Sequence, residues 1–264
     1  MEAIDVIKSS YIRELLAKGV REGSRGMMDF RNIEVKAGVI PHAEGSAQVD
    51  LGATKVLAGV KAVLGEPMAD TPDQGTLSMS AELLPLASAE YEMGPPSPEA
   101  IELARVVDRG IRAGECVDLQ SLLLEEGKAW SIFTDIYVLN YDGNLFDASE
   151  LAAMTALASA RLPKYEDGKV VPEEHVQDLK MNNIVTSSTF VKIGSHVLLD
   201  MNGHEEMAAD ARLTVATDGK LVRAMQKGLR GSLKIDEVDS MVETALGKHE
   251  GLKGLIERAS GRSF

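Results

Sequence analysis

The chain is expected to fold as a mixed α/β (α+β) protein built from duplicated strand-rich units with packed helices. Three features predict this: long stretches where apolar residues alternate with a period of two, separate segments with three- and four-residue spacing, and a strands-then-helix order that occurs twice. At 264 residues and 44% hydrophobic content, the chain can bury one large core or two modest ones.

Residues 4 to 20 place Ile4, Ile7, Tyr11, Leu15 and Leu16 at helical spacing and predict an amphipathic helical arm. After the Gly-rich break at Gly23 to Gly26, Ile33, Val35 and Val39, then Ala47, Val49 and Leu51, then Lys55 to Leu64, read as adjacent strands, with Leu77 to Leu84 as a further one. Ser97-Pro98 is a helix start, because a serine caps free amides and proline suits the first helical position; this helix is expected to reach Ala113. Trp130 to Leu139 is rich in β-branched and aromatic residues and predicts a central strand ending at the Asp142-Gly143 turn. A second helix is expected over Ser149 to Arg161. Strands are then expected over Ile184 to Ile193, His196 to Met201, Ala211 to Ala216 and Leu221 to Met225, with Asp218-Gly219 as a hairpin turn. Val238, Met241, Val242, Ala245 and Leu246 mark a final helix. The expected organisation is an arm over 1–25, a first half over 26–162, a polar linker over 163–183 containing Pro163, Gly168 and Pro172, and a second half over 184–264.

Bulk properties exclude several classes. Cys116 stands alone, so no intramolecular disulfide forms, and the absence of a leader pattern leads to the expectation of a cytoplasmic protein. No apolar run approaches the roughly 18 residues of a membrane span. A net charge of −13 argues against a general nucleic-acid binder; any such contact has to be local or completed by another subunit.

Common catalytic signatures are absent: no phosphate loop, no dinucleotide fingerprint, no H-E-x-x-H, no G-x-S-x-G and no paired C-x-x-C. His204-Glu205-Glu206 lacks the second histidine of a metal site and reads as a solvated acidic turn. Cys116 reads as a small buried thiol. Gly228-Leu229-Arg230-Gly231 matches the GXXG loop that clamps RNA in KH domains, but a strand precedes it, which favours a flexible strand-to-helix turn.

On the helix from Ser97, Arg105, Arg109 and Arg112 fall at i, i+4 and i+7, on one face. Two readings stand. The guanidinium groups clamp phosphates, or the face is solvated and paired internally through Glu102–Arg105, Asp108–Arg105 and Asp108–Arg112. Asp135, inside an apolar strand, calls for an arginine or a subunit boundary as partner. Tyr91 and Phe30 read as core or interface aromatics.

Several ordered stretches carry a resemblance. They are Glu44 to Ala47 with Thr54 to Val60, Asp70-Thr71-Pro72 with Glu82 to Ala87, Gly94-Pro95-Pro96 with Ile101 to Arg112, Asp135 to Leu139 with Asp142-Gly143-Asn144, Asp210 to Leu213, and Ala224 to Lys227. Over roughly residues 15 to 260 the chain resembles the RNase PH family, and within it the non-catalytic RNase-PH-like subunit of the archaeal exosome core. One departure is Arg21-Glu22-Gly23-Ser24-Arg25, where the family shows Arg-x-Asp-Gly-Arg.

The resemblance implies a ribonuclease PH-like fold and a ring of three heterodimers with a catalytic RNase-PH-like homologue. It also implies RNA-binding cap proteins as further partners, and 3′-to-5′ phosphorolysis of single-stranded RNA by the assembly. It assigns RNA binding to Arg105, Arg109 and Arg112 and implies no catalytic residue, cofactor or metal in this chain. Catalytic relatives hold phosphate with Gly-Gly-Thr-Arg and carry two aspartates six positions apart. Here the cradle reads Gly143-Asn144-Leu145-Phe146, and the aspartate pair is matched to His204 and Asp210. Losing one preorganised group commonly costs on the order of a hundred- to a thousandfold in rate, so the isolated chain is expected to be inert. Two alternatives are an autonomous phosphorolytic exoribonuclease using Asp210, and a purely structural ring subunit without RNA contacts.

Overall fold

The computed structural model describes residues 3–166 and 168–264; the side chains of residues 3–5, 172 and 173, Ile4 and Pro172 of the sequence reading among them, lie outside the described ones. An N-terminal helix α1 (Ala3–Ala17) precedes strands β1 (Ile33–Ala37), β2 (Gly45–Leu51), β3 (Thr54–Gly65) and β4 (Thr76–Leu83). Helix α2 (Pro98–Ala113), a short 3-10 turn, β5 (Leu123–Glu125), β6 (Lys128–Asn140) and helix α3 (Leu145–Ala158) follow. The remainder is β7 (Arg161–Glu166), β8 (Lys169–Asp178), β9 (Thr186–Ile193), β10 (His196–Leu199), α4 (Gly203–Met207), β11 (Ala211–Thr217), β12 (Val222–Gly228) and α5 (Ile235–Ser260).

The first sheet runs β1-β2-β3-β6-β4, with β5 added to β6; only β4 joins in parallel, against β6. The second sheet is antiparallel, in the order β10-β9-β11-β12. Helix α3 packs against β2, β3 and β9 and so joins the two sheets. Every residue from Phe146 to Ala158 in it is buried, which explains why it reads apolar on all sides rather than amphipathic. Close approach has a sequence signature: a Cβ on Gly45 of β2 would overlap the Ala156 carbonyl of α3.

Most expected elements form, and several differences have physical causes. Residues 163–183, expected as linker, are largely the hairpin β7–β8; Pro163 stands at a register shift between its strands, where the ladder tolerates it. Helix α3 begins at Leu145 rather than Ser149 and ends before Arg161, which opens β7. Its start is set by Asn144, whose backbone is left-handed (φ 51°) and whose side-chain oxygen accepts from the Asp147 amide. In α1 the buried face is Ile12 and Leu16, packed on Val191, Ile193 and Leu198, whereas Ile7 and Tyr11 are exposed. Asp135 lies on the open face of the sheet beside exposed Phe133 and accepts from Ser80 Oγ at 2.7 Å, so no arginine partner is required. Cys116 is fully buried, and burial raises its thiol pKa far above the ordinary range. No helix among the described residues is long and apolar enough to cross a membrane.

Candidate nucleic-acid interface and neighbouring cradle

Helix α2 starts at the Ser97 cap, whose Oγ accepts from the Ala100 amide at 3.2 Å. Its inner face buries Leu103, Val106, Val107, Gly110 and Ile111, and this leaves Arg105, Arg109 and Arg112 exposed on the outer face. The internal pairing weighed from spacing forms only in part. Arg112 Nε donates to Asp108 Oδ2 at 2.8 Å, and its Nη2 donates to the Leu77 carbonyl of β4. Arg109 Nη1 donates to Gln226 Oε1 of β12 at 2.8 Å. Arg105 has no ion-pair partner among the described residues, because Glu102 turns away to Arg212 on β11 at 2.9 Å.

The cradle sits where α3 begins. Gly143 (φ 77°) is required there, since a Cβ would lie 2.6 Å from the Met201 carbonyl oxygen. Asn144 is buried and donates from Nδ2 to Asp147 (2.9 Å) and Asp200 (2.8 Å), while its amide donates to Glu206 Oε2 (3.1 Å). The Phe146 ring lies beneath the Arg212 guanidinium, 4.3 Å from centroid to Cζ. Arg212 also approaches Glu206 Oε1 at 3.6 Å. Burial raises the Glu206 pKa, opposed chiefly by Arg212. The Tyr141 hydroxyl donates to the same carboxylate at 3.2 Å; burial and Glu206 push the phenol pKa up, so it stays a donor.

The carboxylate pairing expected from sequence is therefore corrected by two positions. The residues six apart that meet the cradle are Glu206 and Arg212. His204 and Glu206 are separated by about 200° around the short helix α4, so His204 faces outward, 3.3 Å from Glu22. Asp210 is bound by Arg13 Nη2 at 2.8 Å and by the Gly194 amide at 2.7 Å, away from the cradle. The expected solvated acidic turn is likewise not solvated, because Glu205 is buried. No group of three or more metal-ligating side chains is arranged for a metal among the described residues.

Both glycines of the GXXG segment have packing reasons. A Cβ on Gly228 would stand 2.8 Å from Arg212 Nη2, and one on Gly231 would stand 2.5 Å from the Asp210 carbonyl oxygen. The segment leads from β12 toward α5, as a strand-to-helix turn does.

A charge network missed by sequence reasoning supports the cradle from behind. Arg21 is fully buried and binds Glu205 through Nε (2.8 Å) and Nη2 (2.9 Å). Arg25 bridges Asp200 (2.8 Å) and Glu205 (3.1 Å), and Arg31 binds Asp200 (2.8 Å) and Asp142 (3.2 Å). Burial alone would raise the Asp200 pKa, but the Arg31 hydrogen bond and charge outweigh it and hold that carboxyl below its ordinary range. The turn at Gly23 (φ 80°) and Ser24 (φ 56°) forms without the family's aspartate, because Arg21 and Arg25 anchor it. The four-residue spacing of those arginines was the available signal; their partners lie some 180 residues away.

A mixed sheet and an antiparallel sheet joined by one buried helix, with a cradle at that helix's start, define an RNase-PH-like fold. Comparison with known proteins agrees. Domain 1 of the 3′ exoribonuclease family matches residues 29–163 and domain 2 matches residues 183–248, so the chain belongs to the RNase PH, or 3′ exoribonuclease, family. A Thermococcus kodakarensis protein named exosome complex component Rrp42 is 44% identical, over 100% of this chain and 99% of that protein. A chain of the Archaeoglobus fulgidus exosome, solved with RNA bound to the active site, superposes with a TM-score of 0.89 at 40% identity, covering 96% of this chain and 99% of that one. A chain of an archaeal exosome core gives 0.85 at 38% identity, covering 97% of each.

Proposed function

We propose that the chain is a non-catalytic exosome ring subunit that holds single-stranded RNA for a catalytic RNase-PH-like homologue, in a ring of three heterodimers that also receives RNA-binding cap proteins. The observation that carries this reading is a pairing of opposites. The exposed guanidinium of Arg105 and the half-engaged one of Arg109 stand on one helix face, while the neighbouring cradle has an apolar ring and an internal Glu206–Arg212 pair where phosphate chemistry needs free donors and acids. The cradle supports the non-catalytic assignment, and the basic face supports RNA holding despite the net charge of −13. Arg112, tied to Asp108 and Leu77, contributes to the same face with fewer free donors.

The test is RNA affinity of the reconstituted ring at several salt concentrations. Arg105→Glu with Arg109→Glu should weaken single-strand binding regardless of base sequence, since backbone contacts carry little sequence information. Each lost contact should flatten the slope of log affinity against log salt by about 0.7. The chain alone, given RNA, phosphate and Mg²⁺, should release no nucleoside diphosphate. Unchanged affinity and slope in an intact mutant ring would leave this subunit a spacer.

A further inference from the structure

Helix α2 rests on the second sheet through apolar and polar contacts together. Between α2 and β11–β12 runs a narrow groove lined by Val106, Thr214, Ala216, Ala224 and Met225, beside the apolar contact through which Val106 and Ala216 join the core. Two polar ties span the groove as well: Arg109 to Gln226, and Glu102 to Arg212. The second joins α2 to the degenerate cradle, because Arg212 is held on four sides. Phe146 lies under its guanidinium, Glu102 and Glu206 flank it, and the Gly228 backbone closes the space above.

We propose that Arg212 is a positioning residue for RNA binding. It fixes the first turns of α2, and with them Arg105 and Arg109, without itself touching RNA. Glu102 lies three residues before Arg105, one helical turn away on neighbouring surface. Pairing Glu102 with Arg212 has two effects on Arg105: it keeps the Glu102 carboxylate from capturing that guanidinium, and it sets the position of the helix that carries it. Without Arg212, two carboxylates, Glu102 and Glu206, would lose their shared cation beside the RNA-facing surface. Glu102 would then be free to take Arg105 as its partner, which is the internal pairing that helical spacing allows and the structure does not form. The arginine is mostly enclosed, with 11% of its side chain exposed, which argues for support rather than direct phosphate contact.

This inference rests on the proposed RNA-holding role, and the experiment separates the two. Rings would be reconstituted with wild type, Arg212→Ala, Gly228→Ala, Arg105→Glu/Arg109→Glu, and the combination of Arg212→Ala with the latter pair. Binding of a single-stranded RNA to each intact ring is the readout. Gly228→Ala keeps the charge of Arg212 but displaces its guanidinium, so it reports on position even if Arg212→Ala prevents folding. Arg212→Ala is expected to weaken binding about five- to thirtyfold, with Gly228→Ala shifting affinity in the same direction, as coupled neighbours do. In the Arg105→Glu/Arg109→Glu background, Arg212→Ala should change nothing further, a non-additivity that a general loss of stability would not produce. If the double glutamate variant binds as wild type, the RNA-holding role itself fails. If that variant is weakened while Arg212→Ala and Gly228→Ala bind as wild type, or if the effects simply add, the positioning role is overturned and the RNA-holding role stands.

Discussion

Glu150 shows how a single buried side chain sets a property of the whole chain. It lies on α3 in contact with Ser187 of β9, its other oxygen is unpaired, and Gly110 of α2 leaves the space that it fills. Burial, reinforced by the nearby Asp147 carboxylate, raises its pKa well above the ordinary carboxylate value. The native state therefore keeps a proton that the unfolded chain releases above about pH 4.5. Since the native state binds more protons, stability falls as pH rises from there toward the raised native pKa. Glu150→Gln keeps the shape and removes the proton exchange. Chemical denaturation between pH 5 and 8 should show a flatter loss of stability in this variant, the difference in slope approaching about 1.4 kcal/mol per pH unit. Equal slopes in the two proteins would mean that Glu150 is ionised in the fold.

Among the elements, the start of α3 carries more than an ordinary helix cap. Asn144 combines a left-handed backbone, a cap on the Asp147 amide and donors to Asp147 and Asp200, all buried. Asn144→Ala loses the cap, strains the backbone and takes one of two donors from each of Asp147 Oδ2 and Asp200 Oδ1, at a cost of about 2–4 kcal/mol in denaturant unfolding. Ser97→Ala on α2, a plain solvent-side cap, should cost only about 1 kcal/mol in the same measurement. Similar losses at both sites would show that the cradle-side cap is no more than a helix start. Periodicity, β-branched and aromatic runs and the Ser97-Pro98 start were enough to locate every strand of both sheets but β5, which is three residues long, together with α1, α2 and α5. The β7–β8 hairpin has no such stripe, and its prolines and glycine imitate a linker. Helix α4 is one turn long and too short for any period to register. The arginine face of α2 was legible because its spacing is local; Glu206 and Arg212 were not, because only the fold reveals that Asn144 and Tyr141 meet the first and Phe146 and Glu102 the second.

At the scale of the molecule, the Arg21, Arg25 and Arg31 cluster joins three parts of the chain through Asp142, Asp200 and Glu205. Removing one member leaves a buried carboxylate short of a cation: without Arg21, Glu205 keeps only Arg25. Arg21→Ala should destabilise by about 3–5 kcal/mol, while Arg21→Met combined with Glu205→Leu should recover part of that loss. A thermal or denaturant series on the three proteins decides it, and a double variant weaker than Arg21→Ala would mean that the pair contributes more than mutual neutralisation. The purely local alternative, a network that only shapes the Gly23–Ser24 turn, predicts losses near those of an ordinary turn substitution.

The same cluster also dictates an order of events during synthesis. Arg21 and Glu205 are 184 residues apart, and Arg31 and Asp200 are 169 apart. Contacts of such separation form late, after the loop between them has closed. The arm and the cradle loop therefore cannot take their final places until β10 and α4 have left the ribosome. A chain interrupted before that point, however complete its first sheet, leaves Arg21 and Arg25 without their anions and Arg31 with Asp142 alone, and cannot dock its arm. The charge pattern thus ties the seating of the arm to synthesis beyond Glu205, since only then are all the partners of Arg21, Arg25 and Arg31 present.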